Sequence, residues 1–288
     1  MATTERGAFR PSCPPRKRQV ARVVSRTPLP AAARRWERAR PLSRIFNFHS
    51  VPEAYVDSFE QILDHLAARF EPAWPEELED LLRAGPETHS RALFTFDDGL
   101  ANHELAAAAL ERRGIRAIFC IPASFPSLPL DQQAAWFSRN VYPVPTELHE
   151  SAERRALTWE QVAALAHRGH RICSHGVEHV PLTASTPANV VHREVVESRR
   201  LLEEHLPGVA VDGFCWPGAA DPSARPADEL IRATYGYSLG NNVRPLRAGA
   251  SPYSLPRVNL EASWPLDVVD LQLSGVLDAL YAIRRWRA

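Results

Sequence analysis

From residue 44 onward the chain alternates short apolar runs with longer segments of helical period, and this alternation restricts the fold more than any other feature. RIFNFHS (44–50), RALFTF (91–96), IRAIFCIP (115–122), HRICSH (170–175), VDGFCWP (211–217), YGYSLG (235–240) and SLPRVNL (254–260) read as strands. Between them, SFEQILDHLAARF (58–70) carries Phe59, Ile62, Leu63 and Leu66 on one helical face, and ANHELAAAALERRG ends on Gly114. TWEQVAALAHRG (158–169) opens with a capping box of Thr158 and Gln161 and closes on Gly169. Further helices are expected from about Pro187 to Leu206, over ADELIRATYG, and from Pro265 to about Arg285, where Val269, Leu273, Leu277, Leu280 and Ile283 form a stripe. Such alternation implies a mostly parallel sheet with right-handed crossovers, doubly wound or closed into a barrel, and six to eight strands suit a barrel.

With 288 residues and 45% hydrophobic content, one large core and one domain are expected. The stretch 123–157, rich in Pro and Ser around Trp136 and Phe137, is too long for an ordinary connection, and insertions of that length often shape a substrate site. Residues 1–40 differ in kind. From Arg6 to Arg40 they hold eleven Lys or Arg against Glu37 alone, which reads as a mostly disordered basic leader ahead of a folded unit at 41–288. A nucleic-acid arm or a targeting signal are the other readings of that leader. The formal net charge of zero favours neither nucleic acid nor a membrane surface as partner. No export signal or membrane span stands out, and the four cysteines lack CxxC spacing, so a reducing cytoplasm is expected. Cys120, Cys173 and Cys215 fall in strand-like runs, where cysteine behaves as a small buried hydrophobe.

In parallel α/β folds the C-terminal strand ends face the site, because the loops there vary while the strands hold them. Asp97 and Asp98 of LFTFDDG lie at such an end. Two adjacent carboxylates repel and lose hydration when buried, so they need a cation, a donor network or a shared proton; taken alone, the pair fits a solvated turn equally well. His175 and His179 of SHGVEH follow another strand, and imidazoles four residues apart in one helical turn can converge on a metal ion. Joined to a carboxylate from the first strand end, they make an Asp-His-His set with room for water, as in a catalytic Zn²⁺ site.

TFDDG (95–99), SHGVEH (174–179) with PLT (181–183), FCWPG (214–218) and the approach Trp159…LAHRGHRICSH resemble the polysaccharide deacetylases, carbohydrate esterase family four. The similarity spans roughly residues 44–260. It implies a distorted (β/α)7 barrel, a divalent metal, commonly zinc, and hydrolysis of an N-acetyl group on an amino sugar or a related small N-acyl compound. By motif, Asp97 would be the general base, Asp98 a metal ligand with His175 and His179, and the Gly218 N–H an oxyanion donor. The division is chemically sensible, since a metal-bound carboxylate loses basicity while its neighbour stays free to take a proton.

The third motif departs from the family. Its arginine, which orients the base, is Cys215 here, and its aromatic is Gly218. Arg257 of SLPRV is a candidate replacement, able to pair with Asp97, though an ordinary surface arginine reads equally well. The family's late Leu-x-His, which supplies the general acid, is missing. His49 of NFHSV stands on the expected face, for that role or for substrate contact, against a core or capping histidine. Asn102 and His103 follow the TFDDG turn, and Trp136, Phe137, Tyr142 and Trp216 are either stacking platforms or core. A catalytically weak or inactive carbohydrate-binding relative is the alternative to an active hydrolase.

Overall fold

The computed structural model describes residues 15–28, 35, 41–84, 88–141, 154–218, 220–241 and 243–274. Among them, β1 (Ser43–Phe48), β3 (Arg91–Phe96), β4 (Ala117–Ile121), β5 (Arg171–Ser174), β6 (Gly213–Cys215), β7 (Tyr237–Leu239) and β8 (Val258–Asn259) pair in parallel in the order β7-β6-β5-β4-β3-β1-β8, with the two-residue β2 (Glu71–Pro72) beside β3. The run before β8 closes the ring. Leu255 bridges Leu239 of β7, while Val258 pairs with Phe46 of β1. SLPRVNL is therefore less a strand than a tie between the first and last strands, and the architecture is a distorted (β/α)7 barrel.

Alternation along each strand sorts the side chains. Phe46, Phe48, Phe94, Phe96, Phe119, Ile121 and Phe214 point outward into the core beneath the helices. Ile45, Leu93, Ile118, Cys120, Cys173, Cys215, Tyr237 and Leu239 fill the barrel interior. All three strand cysteines are buried and unpaired, in keeping with their reading as small hydrophobes, whereas Cys13 lies outside the described residues.

The helices that cover the barrel are α2 (Val56–Ala67), α3 (Leu78–Ala84), α4 (His103–Glu111), α5 (Leu130–Asn140), α6 (Trp159–His167), α7 (Ala188–His192), α8 (Ser198–His205), α9 (Arg225–Thr234) and α10 (Leu266–Leu273). In α2, Phe59, Ile62, Leu63 and Leu66 are the buried face, and α6 carries the Thr158–Gln161 capping box. The helix expected over 187–206 is interrupted: a π-helical stretch, Arg193–Glu197, separates α7 from α8. The segment 123–157 is not a loop throughout, since it includes α5, whose Trp136 and Phe137 pack with Phe125, Leu100 and Ala156. No described helix is long and apolar enough to cross a membrane.

One expectation is qualified. Within the supposed disordered leader, Pro15–Ser25 forms a helix, α1, that packs on α10. Lys17, Ala21 and Val24 recur at helical spacing and make an inward face. Lys17 donates to the Gln272 side chain at 2.7 Å and lies 3.6 Å from the centre of the Trp264 ring, while Ala21 is fully buried. Arg18, Arg22 and Arg26 stay in solvent. Charge averaged over forty residues hid a short face able to dock. The C-terminal helix is described only to residue 274, so Leu277, Leu280 and Ile283 lie outside the described residues.

Candidate active site

Asp98, His175 and His179 converge at the C-terminal ends of β3 and β5. Both imidazole Nε2 atoms stand 3.5 Å from the Asp98 Oδ1, and all three residues are buried. The second nitrogen of each ring is engaged elsewhere: His175 Nδ1 is 2.9 Å from the Cys215 carbonyl and His179 Nδ1 is 2.8 Å from the Asn140 carbonyl. A carbonyl only accepts, so each Nδ1 carries a proton, and with a cation bound each Nε2 would offer its lone pair on the side of Asp98. That donor set fits a divalent cation, with two neutral imidazoles, one carboxylate, and outer partners that fix both tautomers. Burial and the neighbouring His175 hold His179 below the usual histidine range, whereas His175, bonded to Asp98, is raised despite its burial, so His175 would give up its Nε2 proton when a cation binds. A second grouping, Asp97 with His175 and Cys215, fits less well, because His175 Nδ1 is occupied and Asp97 is saturated by donors.

The histidines do not meet through a helical turn. Residues 175–180 are irregular, and His179 adopts φ +57°. Asp98 likewise has φ +77°, so two of the three proposed ligands sit in the left-handed region, where non-glycine side chains are uncommon.

Asp97 ends the inward row of β3. Its Oδ1 accepts from Arg257 Nη1 at 2.7 Å, and its Oδ2 accepts from Arg257 Nη2 at 2.9 Å and Asn47 Nδ2 at 3.0 Å. The Cys215 thiol donates weakly to Oδ1 at 3.4 Å. Arg257 is buried and further bound to the Gly240 carbonyl, Asn47, Thr95 and Asn241. Burial opposes ionisation of Asp97, yet the Arg257 guanidinium and His175 outweigh it and hold the carboxyl well below the usual range. Arg257 thus reaches Asp97 from the closing segment, on the same carboxylate that the Cys215 thiol touches.

The family profile for polysaccharide deacetylases matches residues 84–235, just over half of the chain. The chain belongs to the polysaccharide deacetylase family. Solved members share its fold at low identity. IcaB from Ammonifex degensii superposes with a TM-score of 0.63 at 18% identity over 82% of this chain and 97% of its own. The Streptococcus pyogenes deacetylase PplD, solved with acetate, gives 0.59 at 15% identity, covering 81% and 97%. A de-N-acetylase from Aggregatibacter actinomycetemcomitans gives 0.59 at 13%, covering 80% and 99%. No curated protein matches the sequence.

The remaining sites proposed from the sequence fall out unevenly. His49 is partly exposed beside the aspartates, its Nε2 3.9 Å from Asp97 Oδ2 and its Nδ1 3.8 Å from Glu261 Oε1. Gly218 is exposed with φ +71°, and its carbonyl accepts from the Asn241 side chain. Asn102 binds Ser50 and the Val51 N–H, and His103 lies buried with Nε2 2.6 Å from the His49 carbonyl, its pKa pushed down to about 4 by burial. Trp136 stacks on Phe125 with ring centres 4.4 Å apart, and Trp216 is also buried, so neither is an open stacking platform. Tyr142 lies outside the described residues.

Sequence reasoning missed four supports of this candidate site. Asn47 and Thr95 could have been found by counting two residues back along the inward rows of β1 and β3. Asn140, at the end of α5, carries no side-chain signal, since its carbonyl does the work. Glu194 resembles any helical glutamate in sequence, yet it is fully buried and its carboxylate accepts the N–H groups of Val177, Glu178 and Val180.

Proposed function

We propose that this deacetylase-family protein is a metal-dependent amide hydrolase that removes an N-acetyl or other short N-acyl group from an amino sugar or a related small N-acyl compound. The observation that carries the reading is the pair of imidazole Nε2 atoms turned on Asp98, one residue from a carboxylate held ionised by Arg257. Asp98, His175 and His179 would hold the cation, most simply Zn²⁺. Such an ion supplies Lewis-acid polarisation of the acyl carbonyl and lowers the pKa of water.

The chain's own groups do the rest. Asp97 is held ionised by its donors, which keep its proton affinity low, and takes a proton from the attacking water only transiently. Its weakest donor, the Cys215 thiol, is the one a water most readily displaces. Arg257 fixes the plane of that carboxylate through two parallel N–H bonds. His49, bracketed by Asp97 and Glu261, is placed to give a proton to the departing amine, and the Gly218 N–H is the donor for the developing oxyanion. A weak or inactive carbohydrate-binding relative was suggested by the lost arginine, and the presence of Arg257 on Asp97 favours the active enzyme. We place it in the cytoplasm on its unpaired thiols, acting on an amino-sugar substrate with neither nucleic acid nor membrane as partner.

The test combines zinc content with amine release from N-acetylglucosamine oligomers. Wild type should bind one zinc per chain and release amine, and Asp97→Asn should bind zinc yet release none. Unchanged metal binding by His175→Ala would refute the site.

A further inference from the structure

The loop from His175 to Val180 must present two imidazoles without the help of a helix or strand. Its backbone therefore needs partners from outside, and a buried N–H without one is costly. On one side, the carbonyls of Gly176 and Val177 accept from the N–H groups of Ala123 and Ser124. On the other side stands Glu194. Its Oε2 accepts from Val177 N at 3.0 Å, Glu178 N at 3.1 Å and Val180 N at 3.3 Å, and its Oε1 accepts from Glu178 N at 3.1 Å.

The loop is thus wrapped around a carboxylate. A Cβ on Gly176, which has φ +77°, would lie 2.4 Å from the Glu194 Oε2, so only glycine lets the backbone approach so closely. The π-helical stretch Arg193–Glu197 carries Glu194 and changes the helical phase beside the loop. That stretch is itself pinned to the end of β5, where Ser198 Oγ bonds the Glu194 carbonyl at 2.6 Å and accepts from Ser174 Oγ at 2.8 Å. Glu197, one turn on, faces solvent and pairs with Arg200. Two glutamates in one helix therefore have unlike tasks.

We infer that Glu194 is a positioning residue for metal binding: its buried carboxylate gathers the N–H groups of Val177, Glu178 and Val180 and holds His175 and His179 in ligating geometry before the metal arrives. The inference rests on Asp98, His175 and His179 being the ligands. It does not require Glu194 to touch metal or substrate. Its action passes through the loop backbone, and His179, held at φ +57° between two of the bonded amides, depends on it most.

The test uses Glu194→Gln, which keeps the shape but replaces an acceptor oxygen with a donor. Zn²⁺ and Co²⁺ affinities of the full chain should weaken about 10–100-fold, as when partners of metal ligands are removed, and the visible absorption of bound Co²⁺ should change. A folded E194Q with wild-type affinity and cobalt spectrum would overturn the inference, leaving Glu194 a merely structural acid. Amide exchange in metal-free wild type gives a check that needs no variant. Val177, Glu178 and Val180 should exchange as slowly as β5, and exchange at open-loop rates would overturn the inference even if E194Q fails to fold. His175→Ala separates the two levels, because its retaining wild-type affinity would sink the ligand assignment itself.

Discussion

Replacing Arg257 by methionine should be far more damaging than the loss of one surface charge. The guanidinium makes six hydrogen bonds inside the barrel, two of them to Asp97. Without it, Asp97 becomes a buried, unpaired carboxylate, and breaking a buried pair in this way costs about 3–5 kcal/mol. With a urea m-value of about 3 kcal/mol/M, the unfolding midpoint of the metal-free protein should fall by roughly 1–1.7 M. D97N/R257M removes the charge as well and should recover at least half of that loss. The pH dependence has a definite sign. In wild type, burial raises the Asp97 pKa but Arg257 depresses it further, so the pair's contribution is complete above the unfolded carboxylate value of about 4 and fades only as pH falls through the lower folded value. In R257M burial acts unopposed by the guanidinium, Asp97 protonates more readily, and the gap between the two proteins should narrow on acidification. Urea unfolding followed by tryptophan fluorescence at several pH values reads all of this. An R257M within about 1 kcal/mol of wild type, or a double variant no better than R257M, would refute the reasoning, since buried pairs in this geometry do not behave so.

Three other outcomes are expected. His179→Ala should weaken zinc binding at least about 100-fold in a dye-competition titration, since two ligands remain of three. Trp136→Phe removes the indole N–H that donates to Glu178 Oε2 at 2.6 Å beside the ligand, which should cost about 1 kcal/mol in urea unfolding and weaken zinc binding only a few-fold. Ala21→Asp places a charge in the buried α1–α10 contact and should lower Tm by roughly 4–8 °C, for a cost of about 2 kcal/mol, while amine release per folded molecule stays unchanged.

The sequence by itself determined the alternation of parallel strands and helices and the placing of Asp97, Asp98, His175 and His179 just past strand ends, while the closed barrel was implied by the family resemblance. These are local facts: strand alternation, helical period and short motifs act over a few residues. Even there the means differed, because the histidines meet through an irregular loop with a left-handed His179. The tertiary structure decided what surrounds them. Whether Arg257 pairs with Asp97, 160 residues away in sequence, depends on the closing segment returning to β1, and no local pattern separates that arginine from a surface one. Glu194 shares a helical face with Val191 and Ser198 while Glu197 does not, but only the tertiary structure shows which backbone N–H groups its carboxylate meets. The basic stretch before residue 40 shows the converse case, where average charge suggested mostly disorder and one face docked on α10 accompanies a helix over Pro15–Ser25. Short-range periodicity tells which face a residue occupies, but which distant partner meets that face is settled only when the barrel closes.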